Sequence, residues 1–386
     1  MKQSVKEWTE AKKWNPFNSY KLLSQVYRWR LIQRGQPVPQ PALVTIDPTN
    51  RCDLNCIWCN SSYVIKKRSN HLSRMALLDI ADFLRDWQGS PKWEKGVEAV
   101  CIAGGGEPLI NPHTPDLIDR LVENGIQVGM VTNGTNLWDL ESLSKCTWIA
   151  VSVDAGTPET FEKIKGRDRF DRVIKNIKYL IKYSKDHKTT LASSQPGYGV
   201  SFNYLLHPYN VHEITKAVKI AKDIGVKNFH LRPAGVPWDK LDGGEIKFSK
   251  KQLETFKKQI NEARNYESKD FGVYGVTHKF SDKLQPSNIF KKCYAVFMTC
   301  GFFPSTDGNL DHMNIGLCCD RRGDESLEIA QNISDVNELG KLWGSKKHWE
   351  IFDSINLKDC PRCTYQPHNQ IYEHVIQNDS MTYTFI

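Results

Sequence analysis

From Ala42 onward, short apolar runs alternate with longer stretches in which apolar residues recur every three or four positions. This alternation decides what the chain can fold into. The short runs cover 42–46, 99–103, 126–132, 147–153, 200–206 and 227–231 and have the length and composition of buried strands. The longer stretches, 73–87, 113–124, 137–144, 158–183, 211–224 and 249–266, carry helical spacing. Phe170, Val173, Ile174, Ile177, Leu180 and Ile181 share one face of the clearest helix, and Ile214, Ala217, Val218 and Ala221 repeat the pattern. A break is expected near Gly166. Strand–helix units in this register imply right-handed crossovers and a parallel α/β sheet with its helices outside. Periodicity alone does not separate a barrel-like sheet from a doubly wound one. In both, functional residues collect at the carboxyl ends of the strands.

The loop leaving the first run carries Cys52, Cys56 and Cys59 in a C-x3-C-x2-C spacing. Pro41 and Pro48 bracket the run, so the cysteines emerge directly from a strand end. Three thiolates so close together can wrap one compact centre, and thiolates select zinc, copper(I) or iron–sulfur clusters. A structural zinc site takes four ligands, and this triplet has no near fourth. A cube of four irons held by three cysteines leaves one iron open.

That triplet, with Trp58 before its last cysteine, resembles the radical S-adenosylmethionine (SAM) superfamily. The resemblance implies a partial (β/α)6 TIM-like barrel and a 4Fe–4S cluster whose open iron chelates SAM. It also implies reductive cleavage of SAM to a 5′-deoxyadenosyl radical that abstracts hydrogen from substrate. The strand-end motifs match it. Gly104-Gly105-Gly106-Glu107-Pro108 follows the second strand, and in the family this element pairs with the amino group of SAM. Asn133 follows the third strand, and Ser152 and Asp154 share a face at the end of the fourth. Relatives use these tips for the ribose and carboxylate of SAM; Ser152 and Asp154 could equally cap the next helix. Arg232, at the sixth strand end, could bind the SAM carboxylate, an anionic substrate group or a structural partner.

Beyond Gly272 the alternation is expected to stop, and cysteines return at 293, 300, 318, 319, 360 and 363. Cys360-Pro-Arg-Cys363 is a C-x2-C knuckle, and Thr306-Asp307-Gly308 signals a hairpin turn. This stretch resembles the SPASM/twitch extension of the superfamily, which houses auxiliary 4Fe–4S clusters. No cysteine follows Cys363, so the resemblance implies a single auxiliary cluster. Cys318, Cys360 and Cys363 are the expected ligands. The fourth is Cys293 or Cys300, with Cys293 preferred because fourteen residues separate it from Gly308. Cys319 is expected on the opposite face of its strand, and Cys101 and Cys146 as buried small residues. A zinc site is the alternative for this group.

The expected organisation is therefore a helical preface at 1–41, a radical SAM partial barrel at 42–270 and a SPASM/twitch-type domain at 271–386. The preface carries a helix over Ser19–Arg34, expected to pack on the barrel. Eleven cysteines without an apolar signal segment point to a reducing, cytoplasmic setting. No apolar run approaches membrane-spanning length, and mean hydropathy is −0.50. The net charge of +8 mildly favours an acidic partner, and no basic–aromatic module speaks for nucleic acid. The leading expectation is hydrogen abstraction from a small polar substrate: a sugar, aminocyclitol or nucleotide-linked compound. Oxidation of an alcohol would use the auxiliary cluster as electron acceptor, as in the aminocyclitol dehydrogenase that the cysteine pattern resembles. The implied partners are that small molecule and a reductant such as flavodoxin or ferredoxin. Peptide modification and a non-enzymatic electron carrier are the rival classes, and a carrier has no use for the glycine element.

Overall fold

Pro41 and Pro48 confine the first apolar run to β1 (Leu43–Ile46). In the computed structural model, which describes residues 27–32, 37–67, 70–91, 96–235, 246–275, 290–360 and 363–375, all six expected strands form. They are β1, β2 (Ala99–Ile102), β3 (Gln127–Thr132), β4 (Trp148–Ser152), β5 (Gly199–Leu206) and β6 (Asn228–Pro233), each parallel to the next. A short helix, α1 (Ser62–Lys67), follows the cysteine loop. Then come α2 (Arg74–Asp86), α3 (Thr114–Glu123), α4 (Leu140–Ser144), α5 (Pro158–Lys165), α6 (Phe170–Asp186), α7 (Ile214–Asp223) and α8 (Lys250–Arg264). Gly166 separates α5 from α6, its φ of +71° giving the left-handed cap that glycine adopts without strain. Of the N-terminal helix expected over 19–34, residues 27–32 are described and helical; the rest lies outside the described residues.

The strands succeed one another in one direction, so every right-handed crossover sets its helix on the same face. That face is the core: Val44, Ile46, Ile102, Met130, Phe202 and Phe229 from the strands are buried against Leu77, Ile80, Leu117, Val173 and Ala217 from the helices. The alternate residues face the concave side. There the composition changes to Thr45, Cys101, Ser152, Asn203, His230 and Tyr274.

The parallel series does not stop at β6. β7 (Gly272–Gly275) adds a seventh parallel strand, pairing His230 with Tyr274. Its sequence GVYG has no apolar run, which is why it is silent in the chain. On the other edge, β8 (Gly301–Pro304) lies parallel to β1 and continues antiparallel into β9 (Met313–Gly316) and β10 (Glu328–Ile333). The sheet thus runs β10-β9-β8-β1-β2-β3-β4-β5-β6-β7. The β8–β9 turn contains Gly308 at φ +84°, as the Thr306-Asp307-Gly308 signal implied. Helices α9 (Glu338–Leu342), α10 (Lys346–Ser354) and α11 (Gln366–Val375) complete the C-terminal part. Among the described residues no helix is long and apolar enough to cross a membrane.

His348 on α10 is fully buried, and its hydrogen bonds define its protonation state. Nδ1 accepts the Gly344 N–H at 3.0 Å, which leaves Nε2 to donate to the Val296 carbonyl at 3.0 Å. Burial holds its pKa down at about 4, and burial does the same for His207 and His230. Unfolded histidine titrates near 6.5, about where the free side chain does. The unfolded chain therefore takes up protons that the folded one refuses as pH falls from about 6.5 to about 4. This stability is present above that window and lost through it. The urea midpoint is expected to fall steadily between pH 7 and pH 4.5, and His348→Gln to reduce that slope by about one proton. An unchanged slope in the variant would remove His348 from this account.

Candidate cluster and cofactor site

The cysteine loop is held on two sides by backbone. On one side it hangs from the C-terminus of α5: the Asn55 N–H donates to the Lys165 carbonyl (2.9 Å) and the Ile57 N–H to Ile164 (3.0 Å). Carbonyls that a helix end leaves unpaired are thereby satisfied by the loop. On the other side the glycine element lies against the Thr49–Arg51 backbone. The Gly106 N–H donates to Thr49 (3.1 Å) and the Glu107 N–H to Arg51 (2.8 Å). A Cβ on Gly106 would stand 2.1 Å from the Arg51 carbonyl oxygen, and one on Gly105 would stand 2.5 Å from the Asn50 Oδ1. The glycines are required here by the close approach of two loops. Trp58 is buried with its ring centroid 4.9 Å from that of His207.

The expected polar residues occupy different settings. Glu107 is buried, its carboxylate accepting from the Thr132 hydroxyl (2.6 Å), the Asn133 N–H (2.6 Å) and the Leu109 N–H (3.2 Å). Burial pushes its pKa up to about 7 against those three donors. The Asn133 side chain donates to Asp53 at 2.7 Å, inside the cysteine loop, and Thr135 donates to the same carboxylate at 2.6 Å. Asp154 is wholly buried at a left-handed φ of +63°. Its Oδ1 accepts the Leu205 N–H (2.6 Å), and its Oδ2 pairs with Lys165, itself 3% exposed. Burial opposes charge on Lys165, but Asp154 and Cys56 outweigh it and raise its pKa. Asp154 therefore anchors the cation beside Cys56.

Ser152 lies elsewhere. Through the sheet register it neighbours Asn203, which neighbours His230, which neighbours Tyr274. These four stand in one row across the concave face of β4–β7. One level nearer the carboxyl ends, Arg232 is exposed at the mouth. Sequence reasoning had no signal for this row, because strand register is a tertiary property.

The later cysteines differ in their surroundings. Cys293 feels the charge of Cys360, and Cys318 feels Cys319 first and then Cys293 and Cys363. Asn369 Nδ2 stands 3.7 Å from Cys363 Sγ, and Arg321 Nη1 stands 3.5 Å from Cys360 Sγ. Cys300 is apart from this group: it is 1% exposed, packed in the core, and burial alone perturbs it. Cys319 has Asp320, Arg322, Tyr365 and Cys101 for neighbours, and its charge also acts on the adjacent Cys318. Cys146 is a buried core residue as expected, while Cys101 faces Arg322 and Asp47 on the concave side.

The first cysteine group suits a cluster. Cys56 couples electrostatically to both Cys52 and Cys59. Burial pushes Cys52 up to about 12 and Cys56 to about 11, so the thiolates need the charge of a metal to form. Among the described residues no three such groups converge on a point for a single ion; a four-iron cube needs no such convergence, each cysteine binding its own iron. The buried Oδ1 of Asp47 has no hydrogen-bond partner among the described residues, which leaves an acceptor beside the glycine loop. Asp47, Asp53, Lys165 and Arg322 were not legible as site residues; each is a charged residue with no motif around it.

Residues 46–199 match the family model described as the Radical SAM superfamily. Residues 46–199 thus form a radical SAM domain, and that superfamily uses a 4Fe–4S cluster and SAM. It is 28% identical over 202 residues to a probable GTP 3′,8-cyclase of Saccharolobus islandicus, covering 51% of this chain and 57% of that protein. It is 25% identical over 196 residues to an AdoMet-dependent heme synthase of Methanosarcina barkeri, covering 50% of each. The chain spans about half the length of the curated relatives it matches. In fold it is similar to Streptococcus suis SuiB bound to S-adenosylmethionine (TM-score 0.60, 17% identity, 89% of this chain and 76% of that one). It is also similar to anSMEcpe with bound AdoMet (TM-score 0.55, 16% identity, 84% and 87%).

Lys165→Met should leave Asp154 buried without its counter-charge and cost about 3–5 kcal/mol in chemical unfolding. Adding Asp154→Asn should recover most of that loss. A single-variant loss below about 1 kcal/mol would mean that the pair behaves like a surface ion pair.

Proposed function

We propose that this protein is a radical SAM enzyme that oxidises a small, hydroxyl-bearing substrate at the concave face of the sheet. The supporting observation is the polar row Ser152, Asn203, His230 and Tyr274 with Arg232 above it. In this reading Cys52, Cys56 and Cys59 hold the SAM-binding cluster. Cys293, Cys318, Cys360 and Cys363 hold one auxiliary cluster, and Cys300 is structural. Residues 42–270 and 271–386 are the two functional parts, joined by one sheet. A reductant such as flavodoxin or ferredoxin supplies the starting electron.

When bound, the two groups supply a 5′-deoxyadenosyl radical that takes a hydrogen atom and an acceptor for the electron released as an alcohol becomes a ketone. The balance of that conversion is one hydrogen atom, one proton and one electron. The chain's own residues bind and orient. His230, held neutral by burial, contributes an uncharged imidazole to the row. Asn203 and Ser152 continue that row. Arg232 supplies a fixed positive charge at the mouth, suited to a phosphate or carboxylate on the substrate. The nucleotide substrate in the name of the Saccharolobus relative belongs to the same chemical class.

Anaerobically reconstituted protein is expected to hold about eight irons, four per cube. Cys300→Ala should keep them all, whereas Cys293→Ala should lose the auxiliary spectrum. With deuterated substrate, Cys360→Ala should still move deuterium into 5′-deoxyadenosine while ketone formation collapses. Normal product from that variant would make the auxiliary group structural and put peptide modification ahead. Absence of SAM cleavage by the wild-type protein would leave only an electron carrier.

A further inference from the structure

Asp47, Arg322 and Tyr63 meet between the two cysteine groups. Asp47 follows β1 directly, and its side chain is wholly buried. Its Oδ2 accepts the N–H of Gly105, the middle residue of the glycine element, at 2.8 Å, and also the Nε–H of Arg322. Arg322 is in the loop just after Cys318, with its side chain 14% exposed. Its backbone carbonyl accepts the hydroxyl of Tyr63, on α1 just after Cys59. The adjacent residue, Arg321, reaches the second cysteine group through Cys360 Sγ and pairs with Asp324. Two consecutive guanidinium groups thus serve two different sites. One lies against a sulfur of the later cysteines, and the other grips the carboxylate that holds the glycine loop.

A surface ion pair at this point would slip without consequence. This one is buried, and separating it would strand a charge away from water. A shift of the loop after Cys318 is therefore passed to Asp47, and from Asp47 to the Gly105 N–H, before the pair breaks. We propose that Asp47 and Arg322 are positioning residues that couple SAM binding at the glycine loop to occupancy of the second cysteine site. The inference rests on the two-cluster reading above. Because coupling between binding sites is reciprocal, it is measurable from either end. Filling the second site tightens SAM, and SAM stabilises the filled second site.

The test is the dissociation constant of SAM, by equilibrium dialysis, in four reconstituted proteins. These are the wild type, Cys363→Ala, the double variant Asp47→Asn/Arg322→Met, and the triple variant combining all three changes. The double variant removes both charges together, so neither is left buried alone. Loss of the second cluster should weaken SAM binding about fivefold or more in the wild-type background, at the low end of ordinary allosteric coupling, and hardly at all in the double-variant background. The same ratio in both backgrounds overturns the proposal, and so does the lack of any ratio in the wild type. Iron content judges the two-cluster reading separately: about eight irons in the wild type and about four in Cys363→Ala. Should the wild type load only about four, the link through Asp47 and Arg322 is judged on iron-free protein by amide exchange. Segments 104–107 and 318–324 should both exchange about tenfold faster in the double variant, as expected when a local opening equilibrium shifts. Unchanged exchange in either segment overturns the link.

Discussion

Two backbone hydrogen bonds set the relation between everything else: the Thr45 N–H to the Cys300 carbonyl and the Asp47 N–H to the Phe302 carbonyl, both 2.9 Å. They dock β8 beside β1. Because β1 also pairs with β2, it becomes an interior strand, and the cysteine loop that leaves it starts from a fixed point. The same pairing carries the later cysteines to the first group, since the loop after β9 begins at Leu317-Cys318. The pairing needs a glycine at Gly301, where a Cβ would stand 2.8 Å from the Thr45 hydroxyl, and that hydroxyl also donates to the Cys300 carbonyl at 3.3 Å.

Charge is handled by burial in pairs. Asp154–Lys165 lies under the cysteine loop, and Asp47–Arg322 lies between that loop and the next. Neither arrangement is cheap, since desolvating two ions offsets most of their attraction. What they provide is definition of position. A partner removed from either pair leaves a charge that the surroundings cannot accommodate, so the geometry is held more tightly than apolar contacts would hold it. The cost is tolerated beside the thiols, where placement matters most.

The concave face and the convex face have opposite requirements. Convex positions such as Ile46, Ile102, Phe202 and Phe229 are fully buried under helices, and the sheet is stabilised from that side. This frees concave positions to be polar, and Ser152, Asn203, His230 and Tyr274 use that freedom. Core packing and the polar row are assigned to alternate residues of the same strands.

The amino-acid sequence by itself determined the parallel α/β class, the six principal strands, the faces of α6 and α7, the break at Gly166 and the strand-end position of the motifs. These follow from local periodicity and from single-residue conformational limits, both of which are written in neighbouring residues. β7 escaped because four residues with two glycines carry no period. The docking of β8 onto β1, the partnership of Asp47 with Arg322 across 275 positions and the alignment of Ser152 with Asn203, His230 and Tyr274 were decided only by the tertiary structure. So was the separation of Cys293 from Cys300, two cysteines that spacing alone could hardly tell apart. Each of these depends on which distant segments share an edge or a register, and sequence separation holds no record of that.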